Sequence, residues 1–156
     1  MDDKVETRTT PVGMFHYAHA YAASAMTLNE VDVDTIRSDA PVRFLFSHAI
    51  ELYLKAYLLL KGVTVEELRS RALGHNLKKL TSKAVELGLS VSEEHCLSIE
   101  VANEAILDRY IETGARTVLL PESLSAICAN LHEQIGPDVY LAAGLTRKPK
   151  RFSKVK

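Results

Sequence analysis

The sequence predicts an all-α protein, with four or five long helices joined by short connections and packed as an antiparallel bundle. Three observations lead there. Apolar residues recur at steps of three and four, and no stretch alternates as a half-buried strand would. Glycines and prolines punctuate the chain where helices would stop and start. Aromatic residues make up only 6% and Trp is absent, so the core must be mostly Leu, Ile, Val and Ala, which suits helix-on-helix packing. A chain of 156 residues fits one domain with a substantial core. We place the helical domain at residues 1–146 and a basic tail at 147–156.

The elements follow in order. Thr10 before Pro11 is a helix start, because Pro is tolerated in a first turn. The helix from Val12 to Leu28 is rich in small residues (Ala18, Ala22, Ala25), a face that lets two helix axes approach closely. Residues 29–40 are an acidic connector, with Asp39 the expected N-cap of a second helix that runs to Gly62. Thr64 and Glu67 have capping-box spacing for a short helix reaching Arg71. A third main helix spans His75 to Leu87 and stops at Gly88. Ser90 and Glu93 repeat the capping-box spacing and open a fourth helix through Tyr110, with Cys96, Ile99, Asn103, Ile106 and Tyr110 facing inward. The last helix starts at Pro121, faces inward along Leu124, Ile127, Leu131 and Ile135, and is expected to break at Gly136–Pro137.

The second helix is unusual. Its apolar residues spread around most of the wheel, as in a helix surrounded by neighbours. Ser47 or His48, Glu51 and Lys55 form one narrow polar stripe, and Glu51 to Lys55 is the favourable i,i+4 orientation. Either the stripe is the helix's only view of solvent, or it faces a partly buried polar groove.

Charge and motifs exclude several functions. The net charge of −1 hides an asymmetry, since the tail holds six basic residues and no acid, leaving 13 basic and 20 acidic residues in 1–146. An acidic body is poor for sequence-independent nucleic-acid binding, which needs phosphates neutralised. The tail reads as a solvated extension or as an electrostatic contact for RNA or an acidic partner. Cys96 and Cys128 have no CxxC spacing and read as small apolar residues of a reducing compartment. There is no apolar N-terminal signal, and charged residues interrupt the apolar run 41–62, so the expected location is cytoplasmic, with no membrane contact. P-loop, GxGxxG and GxSxG motifs are absent, and no cofactor is expected. His16 and His19 stand at i,i+3, but without a paired Glu-x-x-His pattern they read as packed side chains and not metal ligands.

Residues 47–62, "SHAIELYLKAYLLLKG", followed by "GHNLKKL", resemble the HEPN family. There, a helix of the form Q-A-I-E-x-x-L-K-A-x-L precedes a glycine and then a His-Asp-Leu helix start. The matching residues are Ala49, Ile50, Glu51, Leu54, Lys55, Ala56, Leu58, Gly62, His75, Asn76 and Leu77, with His48 in place of Gln and Asn76 in place of Asp. Arg109–Tyr110 loosely echoes the family's Arg-Tyr segment. The resemblance implies a four- to five-helix up-and-down bundle, commonly dimeric, in a cytoplasmic prokaryotic setting with a nucleotidyltransferase or antitoxin partner. Many members are metal-independent RNA endonucleases with an Arg-x(4–6)-His motif on the last long helix. Before His132 the required Arg is replaced by Ser125, Ala126 or Ile127, so that motif is missing.

The expected function is therefore a non-catalytic binding or regulatory module for a nucleotide, RNA or a partner protein. The alternative is an RNA endonuclease with a degenerate site, for which Arg69 and His75 supply a displaced Arg-His string. A plain assembly partner is the third possibility. The expected ligand-binding residues are His48, Glu51, Lys55, His75, Asn76 and Arg109. For Glu51–Lys55 the competing reading is an ordinary helix-surface pair, and for Asn76 it is a helix cap.

Overall fold

The computed structural model describes residues 8–31, 39–107 and 119–154, and within them the chain is all-helical, with six helices and no strand. They are α1 (Pro11–Asn29), α2 (Ala40–Leu60), α3 (Val65–Arg69), α4 (Leu77–Glu86), α5 (Glu93–Leu107) and α6 (Pro121–Ala142). Among the described residues no helix is long and apolar enough to cross a membrane.

Local chemistry sets most helix starts. The Thr10 hydroxyl accepts from the Gly13 amide at 3.1 Å, and Pro11 opens α1. Thr64 and Glu67 form a reciprocal capping box on α3, and Asn76 caps α4 by accepting from the Lys79 amide at 3.0 Å. Two expected caps differ. Asp39 sits at the α2 cap position but makes no capping bond, because its carboxylate pairs with Arg43 one turn on. The start of α5 is capped by Ser92, whose hydroxyl accepts from the His95 amide, and not by Ser90. The Ser90 carbonyl instead accepts from Gln134 on α6.

The largest departure is α6, which runs straight through Gly136–Pro137 to Ala142. An interior Pro costs about 3 kcal/mol through its missing donor and its clash with the preceding turn. Beyond it, however, Val139 and Tyr140 are buried, and burying such side chains contributes roughly 1.5–3 kcal/mol each. Glu133 and Pro137 both lie on the exposed side of the helix, where water can reach the carbonyl that Pro leaves unpaired. Continuing the helix wins. Gly136 has its own reason, since a Cβ there would come within 2.9 Å of Phe15 Cζ and 3.0 Å of Pro149 Cγ.

Helix α2 occupies the centre, packed against α1, α4, α5 and α6. That explains its apolar circumference: Phe46, Ala49, Ile50, Tyr53, Leu54, Ala56 and Leu58 are all buried. Ala18, Ala22 and Ala25 of α1 are fully buried, as expected of a small-residue face. The stripe Leu124, Ile127, Leu131 and Ile135 is buried on α6. On α5, Ile99 and Asn103 are buried and Cys96 is half-buried, whereas Ile106 and Tyr110 lie outside the described side chains. Asn103 ties two helices together by accepting from the Leu77 amide at 2.7 Å. The Tyr57 hydroxyl donates to the Leu87 carbonyl at 2.9 Å and so holds the end of α4 on α2. Gly88 closes that helix with φ +105°, a left-handed turn natural to glycine.

Candidate functional site

The polar stripe of α2 is partly buried and not simply a solvent-facing strip. Glu51 is the residue that decides this, because its side chain is only 5% exposed, against 12% for Lys55. Both belong to a helix whose other faces are taken by neighbours, so the carboxylate has to find its partners locally. Lys55 Nζ donates to Glu51 Oε1 at 2.7 Å. His75 Nδ1, arriving from the turn before α4, donates to the same oxygen at 2.9 Å. His48 Nδ1 lies 3.9 Å from the other oxygen, beyond hydrogen-bond reach.

The cluster around Glu51 has a defined polarity. A carboxylate only accepts, so His75 presents its proton at Nδ1 and leaves Nε2 as the acceptor when the ring is neutral. The His75 side chain is 66% exposed, which puts that nitrogen within reach of a ligand. Burial holds the His48 pKa below the ordinary value of 6.5. Glu51 opposes that shift, whereas Lys55 and His75 reinforce it. His48 is flanked by aromatic rings: Tyr21 meets it edge-on at 4.5 Å, and Phe44 stacks near-parallel at 6.3 Å between centroids. Phe44 is exposed. A small cleft of about 310 Å³ beside His48 is lined by Arg8, Tyr17, Tyr21 and Leu52.

Four of the residues expected from the sequence thus meet at one place: His48, Glu51, Lys55 and His75. Asn76 is adjacent in the chain, but its side chain is spent on capping α4. Arg109 lies outside the described residues. Arg69 and His75 are separated by the end of α3 and a turn, and the polar partner of His75 is Glu51 and not Arg69. Among the described residues no cluster of three or more His, Cys, Asp or Glu side chains is arranged to hold a metal ion.

A second cluster had no counterpart in the sequence reading. His132 of α6 is buried with both ring nitrogens engaged. Its Nε2 donates to the Lys150 carbonyl at 2.7 Å, which leaves Nδ1 to accept from the Tyr53 hydroxyl at 2.9 Å. Burial lowers the His132 pKa and raises that of Tyr53. Phe15 packs on the same imidazole at 4.7 Å between centroids, and His19 at 4.5 Å. His16 Nε2 shares a 2.7 Å hydrogen bond with the Tyr140 hydroxyl. Residues 147–154 do not extend into solvent. They lie back along the helices, with Phe152 against His19 and His132 and with Lys154 paired to Glu30 at 2.5 Å. The available signal was the pair of apolar residues, Pro149 and Phe152, inside an otherwise basic segment.

No family model matches this chain, and neither a curated protein nor a solved structure matches it significantly.

Proposed function

We propose that this chain is a HEPN-like up-and-down helical bundle acting as a non-catalytic binding or regulatory module, with the groove around Glu51 as its recognition site. The observation that carries this reading is the buried Glu51 carboxylate holding both Lys55 and an outward-facing His75 on one oxygen. A buried ion pair is a poor source of stability compared with apolar residues of similar volume, so its presence needs another reason. The site offers an exposed imidazole, a nearby ammonium and flanking aromatic faces, a combination suited to a nucleotide or to nucleotides of an RNA. The HEPN resemblance brings with it a homodimer and a nucleotidyltransferase or antitoxin as partner.

The non-catalytic form is favoured over the endonuclease because His132, the histidine of the last helix, has both nitrogens committed within the fold. A thermal-shift screen with nucleotides and short RNAs tests the binding reading, run on the native chain and on His75→Ala. A ligand that binds only the folded state raises the melting temperature, by about 2.7 kcal/mol of stabilisation at one hundred times its Kd. The expected outcome is a ligand that shifts the native chain by more than it shifts the variant, since any binding elsewhere on the molecule contributes equally to both. Equal shifts in both proteins, or no shift with any ligand, would reject the groove.

A further inference from the structure

A second cleft is walled by the segment that returns along α6. It encloses about 710 Å³, within the range of small-molecule sites. Its lining brings apolar side chains of Pro137, Leu141 and Leu145 together with the cations Arg147, Lys148, Lys150 and Arg151. Only one acidic side chain, Glu133, lines it. We infer that this cleft binds a ligand of nucleotide size that carries phosphate groups, with the phosphates on the cations of 147–151 and the apolar or aromatic body on Leu141 and Leu145.

Three features support this. First, the backbone that carries the four cations is held in place. The Lys150 carbonyl is fixed by His132, Pro149 rests over Gly136, and Phe152 packs on His19 and His132. With that backbone already ordered, binding an anion has only the side chains left to order, which favours affinity. Second, they are not neutralised from within. The body has an excess of acid, yet among the described residues none of Arg147, Lys148, Lys150 and Arg151 makes an ion pair, whereas Lys154 of the same segment does. Four like charges within five residues repel one another, and an anionic ligand relieves that repulsion. Third, Leu141 is left largely exposed at the rim, an apolar surface beside the charges. The Tyr140 hydroxyl, bonded to His16, adds a polar group on the cleft wall. Burial depresses the His16 pKa, and the nearby charges of Arg147 and Lys150 add to that depression.

The test is calorimetric titration of the full chain with ATP, adenosine, inorganic tripolyphosphate and a short single-stranded oligoribonucleotide. The same titrations are run on Arg147→Glu/Lys150→Glu, on Leu141→Asp and on Lys154→Ala, whose side chain pairs with Glu30 outside the cleft. Loss of two charge-assisted contacts predicts binding weakened by about tenfold or more in the double variant. Lys154→Ala should change it by less than about twofold. Leu141→Asp is the second line of evidence should the double variant melt early, because Leu141 is exposed and its replacement leaves the core intact. It should weaken ATP by more than it weakens tripolyphosphate. Tight binding of the oligoribonucleotide alone would support the site and assign its phosphates to an RNA strand, and binding of ATP would assign them to a free nucleotide. The inference fails if no phosphate-bearing probe binds, or if Lys154→Ala loses as much affinity as the double variant.

Discussion

At the scale of single residues, the chain places its polar side chains where few alternatives exist. The Tyr53–His132 bond is buried, so losing either partner leaves a polar atom unpaired. Tyr53→Phe removes the donor to His132 Nδ1 and adds nothing in its place. Leaving such an acceptor unsatisfied costs about 1–3 kcal/mol, far more than the loss of a surface hydrogen bond. We expect urea unfolding to show a lower midpoint with an unchanged slope; a midpoint within error of the native protein would show that His132 does not depend on Tyr53. Much at this scale was legible in the sequence. The i,i+4 spacing of Glu51 and Lys55 placed them together, and the capping signals of Thr10, Thr64 and Asn76 required only local geometry. The bond from His75 to Glu51 was less so, since it crosses from one helix to the turn before another. The Tyr53–His132 bond was not legible at all, because no spacing rule connects residues on helices that meet only in the folded core.

At the scale of elements, the instructive case is α6. A Gly-Pro pair reads as a stop, and in an isolated segment it would be one. Here the helix continues because what lies beyond it, Val139 and Tyr140, gains more from burial than the proline costs. Gly136 is the point where α6, Phe15 of α1 and Pro149 of the returning segment come closest. Gly136→Ala has two opposed effects. The residue gains helix propensity worth up to about 1 kcal/mol. The new Cβ meets Phe15, which is 1% exposed and hemmed in by Tyr53, His132 and Tyr140. Overpacking at such a site costs about 1–3 kcal/mol, so the net expectation is destabilisation. Thermal melts of Gly136→Ala should show a lower midpoint, and a higher one would mean that Phe15 moves freely. The Ser90 signal misled for a related reason. Two serines stand two residues apart, and the one that caps is Ser92, directly before the first helical residue Glu93, while Ser90 lies outside the helix with its carbonyl bonded to Gln134.

At the scale of the whole molecule, histidine burial links stability to pH. His16, His19, His48 and His132 all have pKa values below 6.5, in each case chiefly because burial disfavours the charged ring. Their unfolded values are the higher ones. The unfolded chain therefore takes up protons first as pH falls, and stability, full above about 6.5, declines from there toward the folded values. Melting temperatures measured from pH 7.5 down to pH 5.5, where most carboxylates remain ionised, should fall. A flat or rising profile over that range would contradict this assignment. The all-helical class was legible because it depends on periodicity alone, whereas the return of residues 147–154 over α1 and α6 depends on a shape that only the assembled helices create.

The central position of α2 also has a consequence for synthesis. It is made early, next after α1, and its apolar surface is completed by α4, α5 and α6, which are made later. Until those helices leave the ribosome, much of α2 has only α1 to cover it. A nascent chain in that interval presents an adhesive surface to its surroundings, so its yield in cells depends on whether chaperones or speed of elongation protect that surface until α6 arrives.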